Sequence, residues 1–500
     1  MKKKTLLLLL PLTLFACSDD NLNDIPEQPA NTPTEEVTLT RATLTAIPSS
    51  QDRVTYALNT KATSELELIA EIANPSKEPE FSNLVSADPE KFLSATSVYY
   101  DGANSNYYVT YHMQGNNYHK PNVTDEVSGI VEKFSITTST GDNSFPYEIA
   151  ESGHVLYTAE NPTELDFDFN DFYFDTENNK TIVVGHNWKP SSDSDKPGNT
   201  AAIIAQVSFP DTGNGVLEFS KITTGERLYD ANGAAVDHVG AGDANSVVWN
   251  GSNYYVATRR GVAVLDKDFN LVDGKGSFAS TLGSAKYVAL DGNGVKVLYI
   301  NEPHPDSYGY ATDLAAFIGT VTYTSGTEDA EGSTTIEGAA LPNNISISPI
   351  DGKNVLVVDG ENTFACLGTG GLYYKLGDAE GVVKRFGSYE GTASNPKYGT
   401  GRPVNGVAVE DNYVFVANGN CLTILDSSNN MKKVAEYTAP VNKEFVGGDE
   451  SGEYNTEDYV YRTASANYVH VTKAGGVYTV VVAYGQDGVR IFNFTPTPAE

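Results

Sequence analysis

The chain has 500 residues, with 33 Lys and Arg against 65 Asp and Glu, giving a formal net charge of −32. That acid excess excludes a nucleic-acid partner, which needs a basic footprint for phosphate. An aromatic content of 10%, with 30 Tyr, excludes wholesale disorder, and three cysteines exclude a disulfide scaffold.

From the N-terminus, Lys2 to Lys4 precede an apolar run from Leu6 to Phe15, and Ala16 precedes Cys17. A basic stretch, a short apolar stretch and a small residue at the cut predict a secretory signal peptide over residues 1–16, too short to span a bilayer. The junction at Cys17 resembles the lipoprotein box of bacterial lipoproteins. That resemblance implies acylation of Cys17 and an outer-membrane anchor. Ser18-Asp19-Asp20 resembles the acidic export tag of surface lipoproteins in gut Gram-negative anaerobes, which implies exposure to the cell exterior. The leader holds three of the basic residues and none of the acidic ones, so its removal leaves −35. Residues 17–45, rich in Asp, Asn, Pro, Thr and Glu, read as a flexible acylated tether, and residues 46–500 as the folded body.

Within the body, short alternating runs rich in Val, Tyr, Phe and Ile recur between Gly, Asn and Asp, and no long helical periodicity occurs. The runs repeat as a unit: 245–249, 253–258 and 261–266 match 405–409, 412–417 and 421–426, and again 467–471, 477–482 and 488–492. Asn170, Asn245, Asn344, Asn405 and Asn467 open such units, and degenerate ones start near Ser94 and Ser284. Three or four short strands per unit predict an all-β, seven-bladed β-propeller, with an eighth blade possible within 50–92. A β-sandwich is the alternative. After Ile491 little chain remains, so an N-terminal strand, 53–58 or 65–71, is expected to close the ring by pairing with the last unit. The 421–426 run resembles the LVIVD-type, YncE-like bacterial propeller repeat, specifically over 244–266, 404–427 and 466–494.

In such a ring the connections from outer to inner strands and from second to third strands share one face. Here they are the long ones: 114–127, 188–199, 221–244, 301–312, 388–402 and 438–463. Loops on a rigid scaffold are where binding concentrates. Four of the nine arginines, Arg259, Arg260, Arg402 and Arg462, fall in or beside these loops and predict an anionic or oxygen-rich ligand held by forked hydrogen bonds. The same groups also suit ion pairs with acidic loops such as Asp449-Glu450. Tyr118, Trp188, Tyr308, Tyr398 and Tyr461 stand nearby, suited to ring-shaped ligands and equally to loop packing. The opening asparagines read first as turn-satisfying residues. Asp166, Asp168 and Asn170 with Glu177 mimic part of a calcium loop without its glycine, so a strand fits better. No metal site, cofactor or catalytic signature is expected, although a carboxylate pair for glycoside hydrolysis stays open. A disulfide between Cys366 and Cys421 also stays open.

The whole resembles the propeller lipoproteins that such bacteria station beside energy-coupled outer-membrane transporters. That resemblance implies capture of a small-molecule nutrient, a ferric siderophore or cobalamin, for delivery to an outer-membrane transporter. The alternatives are a glycan-binding accessory lipoprotein of a polysaccharide utilisation system and a propeller-based glycan-active enzyme.

Overall fold

The computed structural model describes residues 40–43, 54–56, 66–74, 92–114, 130–138, 147–156, 166–189, 199–209, 216–222, 228–229, 235–236, 243–281, 284–300, 314–327, 330–342, 345–347, 353–368, 370–383, 403–439, 442–445, 459–462, 464–485 and 487–496. Among them the secondary structure is strand after strand, with helix limited to short 3-10 turns.

The local cause is plain in the run from 404 to 438. Val404–Glu410, Tyr413–Asn418, Cys421–Asp426 and Lys432–Thr438 are β-branched and aromatic segments joined by tight turns. Asp411 and Gly419 take the positive φ that two-residue hairpin turns require. Each strand therefore pairs antiparallel with the one before it, and a four-stranded sheet results. Five sheets of this kind stand alone. We label them blade A (166–222), blade B (244–280), blade C (285–347), blade D (356–383) and blade E (404–438). A nine-stranded sheet joins 92–156 to 464–494.

The strand Leu66–Ile72 pairs along its length with Val489–Phe494 and so completes the C-terminal hairpins from the N-terminal side. This is one of the two segments expected in that role. The other expected segment contributes Val54–Tyr56, which pairs with Leu66–Ile72. Residues 54–56 and 66–72 thus belong to the nine-stranded sheet, and among the described residues of 50–92 there is no further blade.

Packing runs from sheet to sheet and returns to its start. Ile204 and Ile182 of blade A pack with Val247 and Val256 of blade B; Val264 with Val297 of blade C; Leu298 with Leu356 of blade D; Phe364 with Val416 of blade E. Phe415 then meets Val480, Val481 meets Val109, and Tyr108 meets Ile203. Apolar faces buried against both neighbours explain why most strands alternate so little between apolar and polar. Sheets packed face to face in a closed succession make a propeller arrangement.

The innermost strands share a second device. Five of them slip register by one residue near the start, between Ala95 and Ser97, Phe169 and Asp171, Ala244 and Ser246, Ala285 and Tyr287, and Val404 and Gly406. At these bulges Thr96 Oγ1 donates to the Phe169 carbonyl at 2.9 Å, Asn170 Nδ2 to Ala244 at 3.0 Å and Asn245 Nδ2 to Ala285 at 2.8 Å. Asn405 Nδ2 likewise reaches Ala466 at 3.1 Å, and Asn467 Nδ2 reaches Ala95 at 3.0 Å. Asn170, Asn245, Asn405 and Asn467 thus stitch their inner strands to the next sheet, a structural use stronger than the local turn satisfaction expected.

Two expectations need correction. The run after Asn344 does not open a blade: Ser346–Ile347 pairs with the start of Leu314–Thr324 as a fifth strand of blade C. Blade D opens at Asn354 instead, whose Nδ2 donates within its own sheet to the Cys366 carbonyl at 3.2 Å. The stretch expected to be free tether to residue 45 includes the strand Thr40–Thr43, paired with the outer strand of blade A. The calcium-like stretch is strand, as its Phe alternation required, and Glu177 accepts a hydrogen bond from Trp249 Nε1 at 2.8 Å. Cys366 and Cys421 are both free and buried, and burial pushes the Cys366 thiol well up.

Candidate functional site

Strand order defines the two faces. Innermost strands run from the face with the long connections (the loop face) to the face with tight turns (the turn face), and second strands run back. Asp175 pairs with Lys180 at the tight turn of blade A, and Asn199 pairs with Lys189 at the opposite end. The strands flanking 115–129, 190–198 and 301–313 all end on the loop face.

Where the second strands reach this face, three successive sheets place a polar side chain at one register position. These are His112 beside Ser94, His186 beside Asp168, and Arg259, whose N–H donates to the Asp243 carbonyl at 2.8 Å. The imidazoles of His112 and His186 lie 6.1 Å apart, both buried. Asp243 sits between the last two: His186 Nδ1 is 3.6 Å from its Oδ1, and Arg259 Nη1 is 3.8 Å from its Oδ2. The corresponding positions of blades C and E are Ile300 and Gly419. The polar arc therefore occupies one sector of the rim.

The Arg259-Arg260 turn is held by backbone geometry. Gly261 has φ +149, and a Cβ there would lie 2.0 Å from the Ala279 carbonyl oxygen, so only glycine lets the turn close against the outer strand. Thr258 Oγ1 donates to the Gly261 carbonyl at 2.9 Å and accepts from Arg260 N at 3.3 Å. Arg260 is 5% exposed, so its guanidinium is part of the packed rim and not a solvent-facing arm. Arg259 is also mostly buried and within ion-pair reach of Asp243.

Below this rim the centre is filled. Residues just past the bulges belong to non-adjacent sheets yet meet, which is possible only across the axis. Lys353 Nζ, just before blade D, donates to Asp171 Oδ1 of blade A at 2.9 Å, and the Tyr287 and Tyr468 hydroxyls are 3.1 Å apart; Ser97 Oγ, from the sheet next to blade A, donates to the same Asp171 oxygen at 3.1 Å. Lys353 Nζ also sits 4.8 Å from the Tyr468 ring centroid. Burial pushes both tyrosine hydroxyls well above their ordinary range, so they stay protonated donors. A Cβ on Gly406 would come within 2.9 Å of Tyr468 Cα, so the glycine lets the two backbones approach closely. A ligand entering from the loop face meets this plug. Towards the turn face, His470 packs against Tyr99 with tilted rings 4.6 Å apart, and burial holds its imidazole down at about 4.

Of the residues expected at the site, the structure places Arg259 and Arg260 together. Trp188 lies in Lys180–Lys189, and Tyr461 and Arg462 in Tyr459–Arg462; their side chains lie outside the described residues. Arg402, Tyr118, Tyr308, Tyr398 and Cys17 also lie outside them. His112, His186, Asp243, Asp171 and Lys353 were not singled out as ligand-site residues. The repeat itself carries the signal for the first two: His112, His186 and Arg259 each stand six positions after Asn106, Lys180 and Asn253. Among the described residues no group of three or more His, Cys, Asp or Glu is placed to hold a metal ion.

Known proteins resemble the chain only distantly. No family model matches the chain, and no curated protein matches it. Among solved structures, the BT4673 extracellular domain of B. thetaiotaomicron is 11% identical with a TM-score of 0.37, over 82% of this chain and 41% of that one. AztD of Citrobacter koseri is 12% identical with a TM-score of 0.31, over 70% and 94%. The Swd1 β-propeller domain of Myceliophteria thermophila is 10% identical with a TM-score of 0.30, over 81% and 84%. This chain spans less than half of the BT4673 chain, and nothing about activity follows from likenesses at this level.

Proposed function

We propose that the protein is a seven-bladed, lipid-anchored capture propeller that binds an anionic, oxygen-rich small molecule at the outer surface. A ferric siderophore is favoured over cobalamin, and delivery to an outer-membrane transporter is the purpose. The blade count is supported by the nine-stranded sheet, whose two halves are joined through a single register pair, Gly485 with Ala95. Split there, it yields the sheet 92–156 and a last sheet of 464–494 completed by 66–72. Anchoring and surface location are supported by the cysteine junction at Cys17 and the acidic residues after it.

The observation that carries the ligand class is the arc of His112, His186 and Arg259 on three successive sheets, the last two beside the Asp243 carboxylate and the two imidazoles side by side. Imidazole N–H and guanidinium groups are hydrogen-bond donors that suit carboxylate, phenolate or hydroxamate oxygens. The filled axis below makes a shallow seat for such a ligand and not a passage.

The test is titration of the mature chain with a ferric tris-catecholate, a ferric hydroxamate, cobalamin and a soluble polysaccharide, followed by calorimetry. Saturable binding of a ferric siderophore, weakened about tenfold (about 1.4 kcal/mol) or more in R259A, supports the reading. Binding of the polysaccharide alone would replace it with the glycan accessory role. Separately, Cys17→Ala should release the protein from membranes; continued retention would refute acylation.

A further inference from the structure

The axial plug has a second side, toward the turn face. Three residues past Thr96, Asn170 and Asn467, the inner strands of three successive sheets place Tyr99, Tyr173 and His470 at one level. In blades B to E the same level carries only short aliphatic side chains, Val248, Ala289, Val357 and Ala408. Inner strands are packed between neighbouring sheets, yet Tyr99, Tyr173, Val357, Ala408 and His470 keep part of their surface open to solvent. That solvent reaches them along the axis. The turn face therefore opens into a shaft with one aromatic wall and one aliphatic wall set back from it. Its floor is the Tyr287–Tyr468 hydroxyl pair and the Lys353–Asp171 ion pair. From Asp171 at the floor to Asp175 at the inner turn is four residues of strand, about 13 Å.

His470 brings an acceptor to this wall. Burial holds its imidazole down at about 4, so the ring is neutral, and one nitrogen hydrogen-bonds the Tyr100 backbone. That bond favours the charged form, so this nitrogen is the donor and the other keeps its lone pair. The other is Nε2, which is buried without a hydrogen-bond partner. A buried acceptor left unmet is costly, and an N–H from a ligand would meet it. Around the mouth, Asp101, Asp291, Asp359 and Glu410 end four of the inner strands. Lys296 lies 3.6 Å from Asp291 and offsets that acid, and Lys473 is paired with Asp411 at 2.6 Å. Burial first, and then the Asp101 charge, push the Tyr99 hydroxyl above its ordinary value, so the acidic field reaches the aromatic wall.

We propose that this shaft binds a small organic cation, a primary ammonium on an apolar body, with the body between the two walls and the ammonium at the level of His470. It is a second site, on the face opposite the His112, His186 and Arg259 arc, and it does not rest on the capture reading. Aromatic rings beside a carboxylate rim favour positive charge, and a cleft focuses that field inward. The floor does not oppose it, because Lys353 is neutralised by Asp171 at 2.9 Å. The neutral imidazole and the tyrosine hydroxyls accept N–H bonds, and an anionic ligand is repelled at the rim.

The test is equilibrium dialysis of the mature chain against phenethylammonium, 2-phenylethanol and phenylacetate, which share one body and differ in charge. Phenethylammonium is expected to bind saturably and about tenfold or more tighter than the alcohol, with phenylacetate weakest. His470→Phe keeps a ring against Tyr99 and removes the acceptor, while D359N with E410Q removes charge at the rim alone. Each is expected to weaken phenethylammonium about fivefold or more, with the strand signal intact by circular dichroism. Equal binding of the ammonium and the alcohol, no saturable binding of the ammonium, or an affinity unchanged in both variants would overturn the proposal. A ferric siderophore titration reports on the opposite face, so either reading can fail while the other stands.

Discussion

Replacing Glu71 tests whether the N-terminal strand closes the ring. Glu71 lies on Leu66–Ile72, and its Oε1 accepts from Arg490 Nε at 2.7 Å and from the Tyr437 hydroxyl at 3.3 Å. The Arg490 side chain is 4% exposed, lies 4.5 Å from the Tyr484 ring centroid, and donates a second bond to Asp487 at 3.0 Å. Removing one partner of a buried ion pair costs about 3–5 kcal/mol, because the other charge stays desolvated and uncompensated. Asp487 remains beside Arg490 in E71A, so the low end applies, about 3 kcal/mol. R490M leaves two acids facing each other and should cost at least as much. Combining Glu71→Leu with Arg490→Met should recover part of the loss, since apolar replacement of a whole buried pair is often close to neutral. Urea unfolding gives these energies, and hydrogen exchange localises them: amides of Leu66–Ile72 should lose protection first in E71A. A change under about 1 kcal/mol, the range of an exposed pair, with unaltered exchange in that strand, would refute the argument that a buried ion pair clamps the ends together.

Other outcomes follow from the same packing. His470 is held at about 4, below the unfolded value of about 6.5, so the unfolded chain takes up its proton first as pH falls. The stability this group contributes is present above about pH 6.5 and declines toward pH 4, by about 2–3 kcal/mol; H470Q should flatten that part of the urea-midpoint profile, and an equally steep profile would contradict it. In the axial plug, K353M leaves Asp171, 2% exposed, without its cation and should cost about 3 kcal/mol or more in urea unfolding, with D171N added in the same chain recovering a good part. At the seam between the last and first sheets, N467A leaves the Ala95 carbonyl without its side-chain donor and should cost about 1–3 kcal/mol, matched by N245A between blades B and C if the stitches are equivalent.

Much of the architecture was legible because local chemistry and global fold agree. Tyr254–Thr258 and Gly261–Leu265 are β-formers around a turn that only glycine can close, and the repeat of that pattern announces the blades. The closing strand was legible by subtraction, since the last unit runs out of residues. Ser346–Ile347 misled because a short edge strand and an inner strand share one alternation, and only pairing tells them apart. The strand Thr40–Thr43 was hidden by composition: Thr and Ala between prolines and acids show no apolar face, and its partner is remote. The site was read in part. Arginines stood out because they are few, whereas His112 and His186 meet only when consecutive units are superposed in register. Lys353 and Asp171, 182 residues apart, pair across an axis that exists only once the ring has closed.

The most direct measurement is the affinity of the mature chain for a ferric siderophore with His112, His186 and Arg259 all replaced by alanine, its fold checked by circular dichroism. The capture account predicts a loss of about a hundredfold or more, near 3 kcal/mol, with the strand signal intact. A folded triple variant that binds as tightly as the parent would contradict it.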